Sequence, residues 1–322
     1  MAGAHTVRTG GGVELHVRED GPPDAPVTVV LAHGWTLDTR SWGPVARALA
    51  RSGRPPVRVV RYDHRGHGRS APVASSGMTI DALADDLADL ITAVAPTGPV
   101  VLAGHSMGGM TAMALAERHP ALFAERVAGV ALVSTAAGGL ADKPLGLSVR
   151  TLGAVRRGEA RLAASARFTG RQVLTRRPAL LAPGVRALVL GRNADRGALR
   201  TTARCIADCR PATMVGFRPA LDAHERDAAL AAFAGIPTEV LVGTRDKLTP
   251  VRLSRRILES AGHARLTLYP GAGHMLPLER ADGVAERLAE LCAIAAAAAG
   301  DPAARDPAAG EAPVAHRAAT VE

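Results

Sequence analysis

The chain has 322 residues, 47% of them hydrophobic, with only four Phe, two Trp and two Tyr, so its core is aliphatic and its length fits one α/β domain with an insertion. The formal charge of +9 sits in one place: between Gly139 and Ala234, 17 Lys/Arg stand against 7 Asp/Glu. Only Lys143 and Lys247 are lysines and no basic stripe is interleaved with aromatics, which argues against a nucleic-acid partner.

Met1 to Gly12 lacks a continuous apolar segment, which predicts a cytosolic protein. Gly12 to Glu19 alternates Val13, Leu15 and Val17 with polar residues, as a half-wet antiparallel strand does, and Thr6 to Thr9 is placed to pair with it. Val27 to Ala32 is a near-continuous apolar run and reads as a central strand. It runs into His33-Gly34-Trp35-Thr36-Leu37-Asp38, after which Ser41 is predicted to cap a helix through Ala50. Val57 to Tyr62 is the next strand. The loop Asp63-His64-Arg65-Gly66-His67-Gly68-Arg69-Ser70 follows, and it reads as a tight turn under charge-assisted hydrogen bonds rather than a metal site. Thr79 to Ala95 has Ile80, Leu83, Leu87, Leu90 and Ile91 at helical spacing.

Val100 to Ala103 is compact and apolar, Met110 to Arg118 suits a helix, and Gly104-His105-Ser106-Met107-Gly108 lies between them. A strand reversing into a helix this abruptly forces unusual angles at the bend, and Gly104 and Gly108 supply the small neighbours it needs. Ser106 is therefore the candidate nucleophile. Val127 to Val133 is another strand, and the βαβ alternation predicts a mostly parallel sheet wrapped by helices.

From residue 138 to 235 apolar residues recur at helical intervals, punctuated by Pro144, Pro178, Pro183, Pro211 and Pro219. This predicts a helical cap inserted into a core formed by residues 1–137 and 236–299. Cys205 and Cys209 share a helical face but have no further ligands nearby; with Cys292 they are read as free thiols. Thr238 to Gly243 resumes the sheet and ends in a loop holding Asp246, with Pro250 predicted in the first turn of the next helix. Arg265 to Tyr269 is the last strand and leads to His274. A closing helix begins near Val284, its apolar part Leu288 to Ala299 far too short to span a bilayer, and residues 300–322 are predicted to be disordered.

Serine needs a base to remove its proton, and the base needs a third group to fix its tautomer. Asp246 and His274 both follow strands whose ends meet the loop of Ser106, and the chain order is Ser106, Asp246, His274. His33-Gly34-Trp35, the loop Asp63 to Ser70, Gly104 to Gly109 and the Asp246 and His274 loops together resemble the α/β-hydrolase family over about Gly12 to Ala299. The resemblance implies an eight-stranded-type sheet flanked by helices, a Ser106-His274-Asp246 triad without metal or cofactor, and an oxyanion hole made by the amides of Trp35 and Met107. Asp142 is the reserve acid; His33, His64, His67 and His105 are read as structural.

Trp35, Leu37, Met107 and Met275, with Leu276, are expected to line an apolar pocket for a small acyl substrate. In the cap, Phe168, Met214 and Phe217 either face that pocket or pack the cap. The expected activity is that of a carboxylesterase. Acyl transfer, lipase-like, thioesterase or perhydrolase chemistry uses the same machinery, and a ligand-binding protein that kept the fold is the non-catalytic alternative. The basic cap favours an anionic or lipid-like substrate.

Overall fold

A computed structural model describes residues 3–52, 55–140 and 178–300. Its strands are β1 (Gly3–Arg8), β2 (Glu14–Asp20), β3 (Val27–Ala32), β4 (Val57–Tyr62), β5 (Val100–His105), β6 (Val127–Val133), β7 (Thr238–Gly243) and β8 (Arg265–Tyr269). They form one sheet in the order β1-β2-β4-β3-β5-β6-β7-β8. β1 and β2, and β2 and β4, pair antiparallel; every other pairing is parallel. This is the α/β-hydrolase fold. The order reverses beside β3, whose neighbours are β4 on one side and β5 on the other, and such a switch point opens a crevice at the carboxyl ends of the strands.

The helices are α1 (Gly43–Ser52), α2 (Ile80–Val94), α3 (Met107–Arg118), α4 (Pro120–Arg126), α5 (Ala182–Leu188), α6 (Arg196–Asp208), α7 (Pro211–Gly216), α8 (Arg218–Asp222), α9 (Val251–Ala261), α10 (Leu276–Glu279) and α11 (Ala281–Gly300). Alternation along the strands sends Val30, Val60, Leu102 and Leu132 to one face, where they pack with residues of α2 and α3. Val29, Val59, Val101 and Val133 point to the other face, against α1 and α11. Both faces are covered, which is why the central parallel strands read as mostly apolar rather than alternating runs; each fully buried Val or Leu contributes roughly 1.5–3 kcal/mol.

Boundaries shift where local chemistry outweighs periodicity. Asp38, not Ser41, caps the segment after β3: its side chain accepts from the Arg40 amide and opens a 3-10 turn over Thr39–Trp42, while the Ser41 hydroxyl donates back to the Asp38 carbonyl. Helix α3 starts at Met107 rather than Met110, α11 starts at Ala281 rather than Val284, and Pro250 is the residue before α9 rather than in its first turn.

Helices are the only regular elements among the described residues between β6 and β7, and Pro183, Pro211 and Pro219 lie in the first turns of α5, α7 and α8, where a missing N–H costs nothing. Leu37 and Met275 of the sheet loops share a buried cluster with Val185, Leu190, Ala198 and Cys205 from this segment. The Gly66 carbonyl accepts from Arg210 Nη1 at 2.7 Å and Thr213 Oγ1 at 2.9 Å. Cys205, Cys209 and Cys292 are free and buried, and burial pushes the Cys209 and Cys292 thiols up to about 12. Among the described residues no helix is long and apolar enough to cross a membrane. Asp142, Lys143, Pro144, Phe168 and residues 301–322 lie outside the described residues.

Candidate active site

Ser106 joins β5 to α3 at φ 53°, ψ −117°, a region side chains other than glycine rarely occupy. A Cβ on Gly104 would collide with the main chain at Gly108 and Gly109, and one on Gly108 with the Ala32 carbonyl. Both positions require glycine for the bend to close. The bend is pinned by the Ser106 amide on the Val133 carbonyl (2.9 Å) and by the Thr135 hydroxyl on the Ser106 carbonyl (2.7 Å).

His274 and Asp246 come together as the sequence predicts. His274 Nδ1 lies 2.9 Å from Asp246 Oδ2, with both side chains at most 5% exposed. Asp246 Oδ1 accepts from the amides of Leu248 and Thr249, each at 2.9 Å, and Oδ2 also accepts from the Thr249 hydroxyl at 2.8 Å. Burial alone would raise this carboxyl; the charge and hydrogen bond of His274 and the two Thr249 donors outweigh it and hold Asp246 below the usual carboxylate range. An ionised carboxylate only accepts, so the proton of the shared bond belongs to His274 Nδ1. That leaves Nε2 as the basic nitrogen. Ser106 and His274 line one cavity, and no hydrogen bond joins them among the described residues. In ligand-free sites such contacts are often long and tighten when substrate binds.

Four buried histidines support the loops around Ser106. His33 Nδ1 donates to the Gly34 carbonyl (2.7 Å) and its Nε2 accepts from the His64 amide (3.0 Å). His64 Nε2 donates to the His33 carbonyl (3.0 Å), His67 Nδ1 to the Arg65 carbonyl (3.1 Å) and His105 Nε2 to the His274 carbonyl (2.8 Å). A carbonyl partner fixes each as a single neutral tautomer. Burial lowers His33 and His64, and pushes His67 and His105 down to about 3. Asp63, the acid of the same loop, accepts from the amides of Thr39 (2.7 Å) and Arg69 (2.9 Å), as the structural reading of that loop requires.

The amides of Trp35 and Met107 flank the bend. Met107 is the first residue of α3, where N–H groups have no intrahelical acceptor, and Thr36 beside Trp35 takes a strained positive φ of 64°. The cavity lined by Trp35 and Ser106 has a volume of about 310 Å³. Trp35, Leu37 and Met275 line it, but Met107 and Leu276 do not. The Met107 side chain is fully buried in the core because the first turn of α3 faces the sheet, and Leu276 packs against α11 on the other side. Met214 lines the cavity, whereas Phe217 is fully buried against the His67 ring. The Arg218 guanidinium stacks over the Trp35 ring at 5.1 Å.

Two further residues belong to this site. Thr249 ties Asp246 to His274, its hydroxyl 3.3 Å from Nδ1. The Glu279 carboxylate accepts from the amides of Gly191 (2.8 Å), Gly273 (3.1 Å) and Met275 (3.1 Å), clamping the His274 loop to the segment between β6 and β7. From that segment the Val189 carbonyl also accepts the His274 amide at 2.8 Å. The Asp-x-x-Thr spacing of a side chain capping its own turn was the available signal for Thr249; nothing in the sequence flags Glu279.

Residues 23–281 match the family described as "Serine aminopeptidase, S33". Over 260 residues, 81% of this chain and 89% of its relative, the sequence is 31% identical to the "Putative carbamate hydrolase RutD" of Variovorax paradoxus. A 114-residue stretch, 35% of this chain and 39% of the relative, is 37% identical to the "Bifunctional esterase/perhydrolase DCH" of Acinetobacter calcoaceticus. Among solved structures, a thermophilic esterase from Thermogutta terrifontis superposes with a TM-score of 0.69 at 25% identity, covering 91% of this chain and 100% of that one. The enol-lactonase from Burkholderia xenovorans LB400 gives 0.69 at 27% identity, covering 89% and 99%.

Proposed function

The chain belongs to the serine aminopeptidase S33 family, serine hydrolases of the α/β-hydrolase fold, and from that premise we propose that it is a carboxylesterase acting through an acyl-Ser106 intermediate. The observation that carries this reading is the 2.9 Å bond between buried Asp246 and His274, which lines one cavity with the strained Ser106.

In the proposed reaction Ser106 Oγ attacks the ester carbonyl while His274 Nε2 takes its proton, and Asp246 stabilises the imidazolium. The amides of Trp35 and Met107 donate to the oxyanion; one such donor is typically worth about 3–4 kcal/mol of barrier. The imidazolium then protonates the departing alcohol. Water, deprotonated by His274, releases the acid and restores Ser106. Residues 138–235 act as a cap over this cavity, excluding water and shaping the acyl pocket.

The apolar lining from Leu37, Met110, Leu248 and Met275 supports a small acyl group, and Arg218 over Trp35 supports an anionic or lipid-like substituent at its edge. The stretch shared with the esterase/perhydrolase supports a second reading, in which hydrogen peroxide resolves the acyl-enzyme to a peracid. Turnover of p-nitrophenyl acetate and butyrate tests the first reading, with Ser106→Ala expected to lose about 10⁴-fold or more. Peracid yield with added peroxide separates the two. Full turnover by Ser106→Ala would end both.

A further inference from the structure

A second cleft, of about 680 Å³, lies between β2, β4, α1 and α6 and shares no residue with the candidate active-site cavity. Arg18, Arg40, Arg47, Arg61, Arg200 and Arg204 line it, and Asp20 is its one acidic lining residue. The nearby carboxylates are already engaged. Asp20 pairs with Arg61, Asp38 with Arg40 (2.6 Å), and Asp208 with both Arg40 and Arg204 (2.9 Å each).

Arg18, Arg47 and Arg200, from β2, α1 and α6, have no ion-pair partner among the described residues. Like charge is also crowded: terminal nitrogens of Arg47 and Arg61 lie 3.4 and 3.6 Å from the point a Cβ on Gly43 would occupy. Arg61 is 92% buried, yet its Nε, like the buried Nε of Arg18, has no acceptor among the described residues. Buried guanidinium N–H groups are costly to leave unpaired, and the planar fork of arginine matches phosphate oxygens.

We propose that this cleft binds a polyanion carrying two or more phosphate groups, bridging the β2–β4 strand pair and α6. Three arginines without an ion-pair partner among the described residues carry more positive charge than one phosphate neutralises, which favours a di- or triphosphate chain, and the cleft volume lies within the range of ligand sites.

Calorimetric titration of the full chain with sodium tripolyphosphate in 0.15 M NaCl tests this, because that salt screens diffuse attraction beyond about 8 Å. Saturable one-to-one binding is expected. Arg47→Gln/Arg200→Gln should weaken it at least tenfold and leave ester turnover without polyanion unchanged. Arg252→Gln/Arg255→Gln, which removes the same charge from exposed positions of α9, should not alter it. Equal affinity for ATP and tripolyphosphate identifies the phosphate chain as the recognised part, and tighter ATP binding identifies a nucleotide. No saturable binding, orthophosphate binding as tightly as tripolyphosphate, or equal losses in both double variants would overturn the proposal.

Discussion

The His105 imidazole donates from Nε2 to the main-chain carbonyl of His274 at 2.8 Å, so the residue before the candidate nucleophile holds the backbone of the candidate base. His105→Phe keeps the ring packing against Trp42 and removes that donor. It leaves a buried carbonyl unpaired, costing about 1–3 kcal/mol of stability. Misplacing a base by about 1 Å can cost roughly 10²-fold, so kcat/KM should fall about 10- to 100-fold. A kcat/KM within twofold of wild type would show that the bond does not position His274.

Thr249→Val deletes the hydroxyl donor on Asp246 Oδ2 and its contact with His274 Nδ1 while preserving shape. A hydrogen bond to a charged group is worth about 1.5–3 kcal/mol, so kcat should drop about tenfold or more with little change in KM. Thr249→Ser should restore most of the rate, since it returns the hydroxyl. Steady-state kinetics on the three proteins decide the matter, and an unimpaired Val variant would remove Thr249 from the site.

Glu279 accepts three amides from the His274 loop and from Gly191. Glu279→Ala should lower Tm by several degrees and reduce kcat at least tenfold, because the loop carrying the base loses its anchor. Glu279→Gln, which keeps one acceptor oxygen, should fall between. Calorimetry and kinetics showing Ala and wild type alike would contradict this role.

The buried neutral histidines make the fold acid-sensitive. In the unfolded chain His67 and His105 take up protons near pH 6.5, whereas in the fold burial pushes both down to about 3. Between those values the unfolded state binds more protons, so stability falls as pH drops, by up to about 1.4 kcal/mol per pH unit for each group. Asp246, held below its ordinary value, adds its own loss only under about pH 4. Urea midpoints at pH 7, 6 and 5 should therefore decline steadily, with a shallower slope in His67→Gln. A flat profile would mean that these rings are already protonated or exposed.

The central strands Val27–Ala32, Val57–Tyr62, Val127–Val133 and Thr238–Gly243 are legible in the sequence because burial on both faces writes a short, mostly apolar run rich in Val and Leu. The meeting of Asp246 with His274 is legible for a related reason, since each follows a parallel strand whose carboxyl end lies at the same end of the sheet as that of β5, which leads into Ser106. The Met107 side chain is misplaced by sequence reasoning because adjacency to Ser106 says nothing about which way the first turn of a helix faces. Glu279 and the Val189 carbonyl act on backbone amides and carbonyls far away in the chain, and no periodicity records such bonds. Asp38 displaced Ser41 as the cap because two capping side chains stood within one turn, and only the 3-10 geometry decides between them.

The acyl-enzyme mechanism is tested most directly by labelling the intact protein with a fluorophosphonate and mapping the modified peptide by mass spectrometry. The account predicts one adduct, on Ser106, formed at a rate that falls about 10³-fold or more in His274→Ala. No adduct on active protein, or an adduct elsewhere that abolishes turnover while Ser106 stays unmodified, would contradict it.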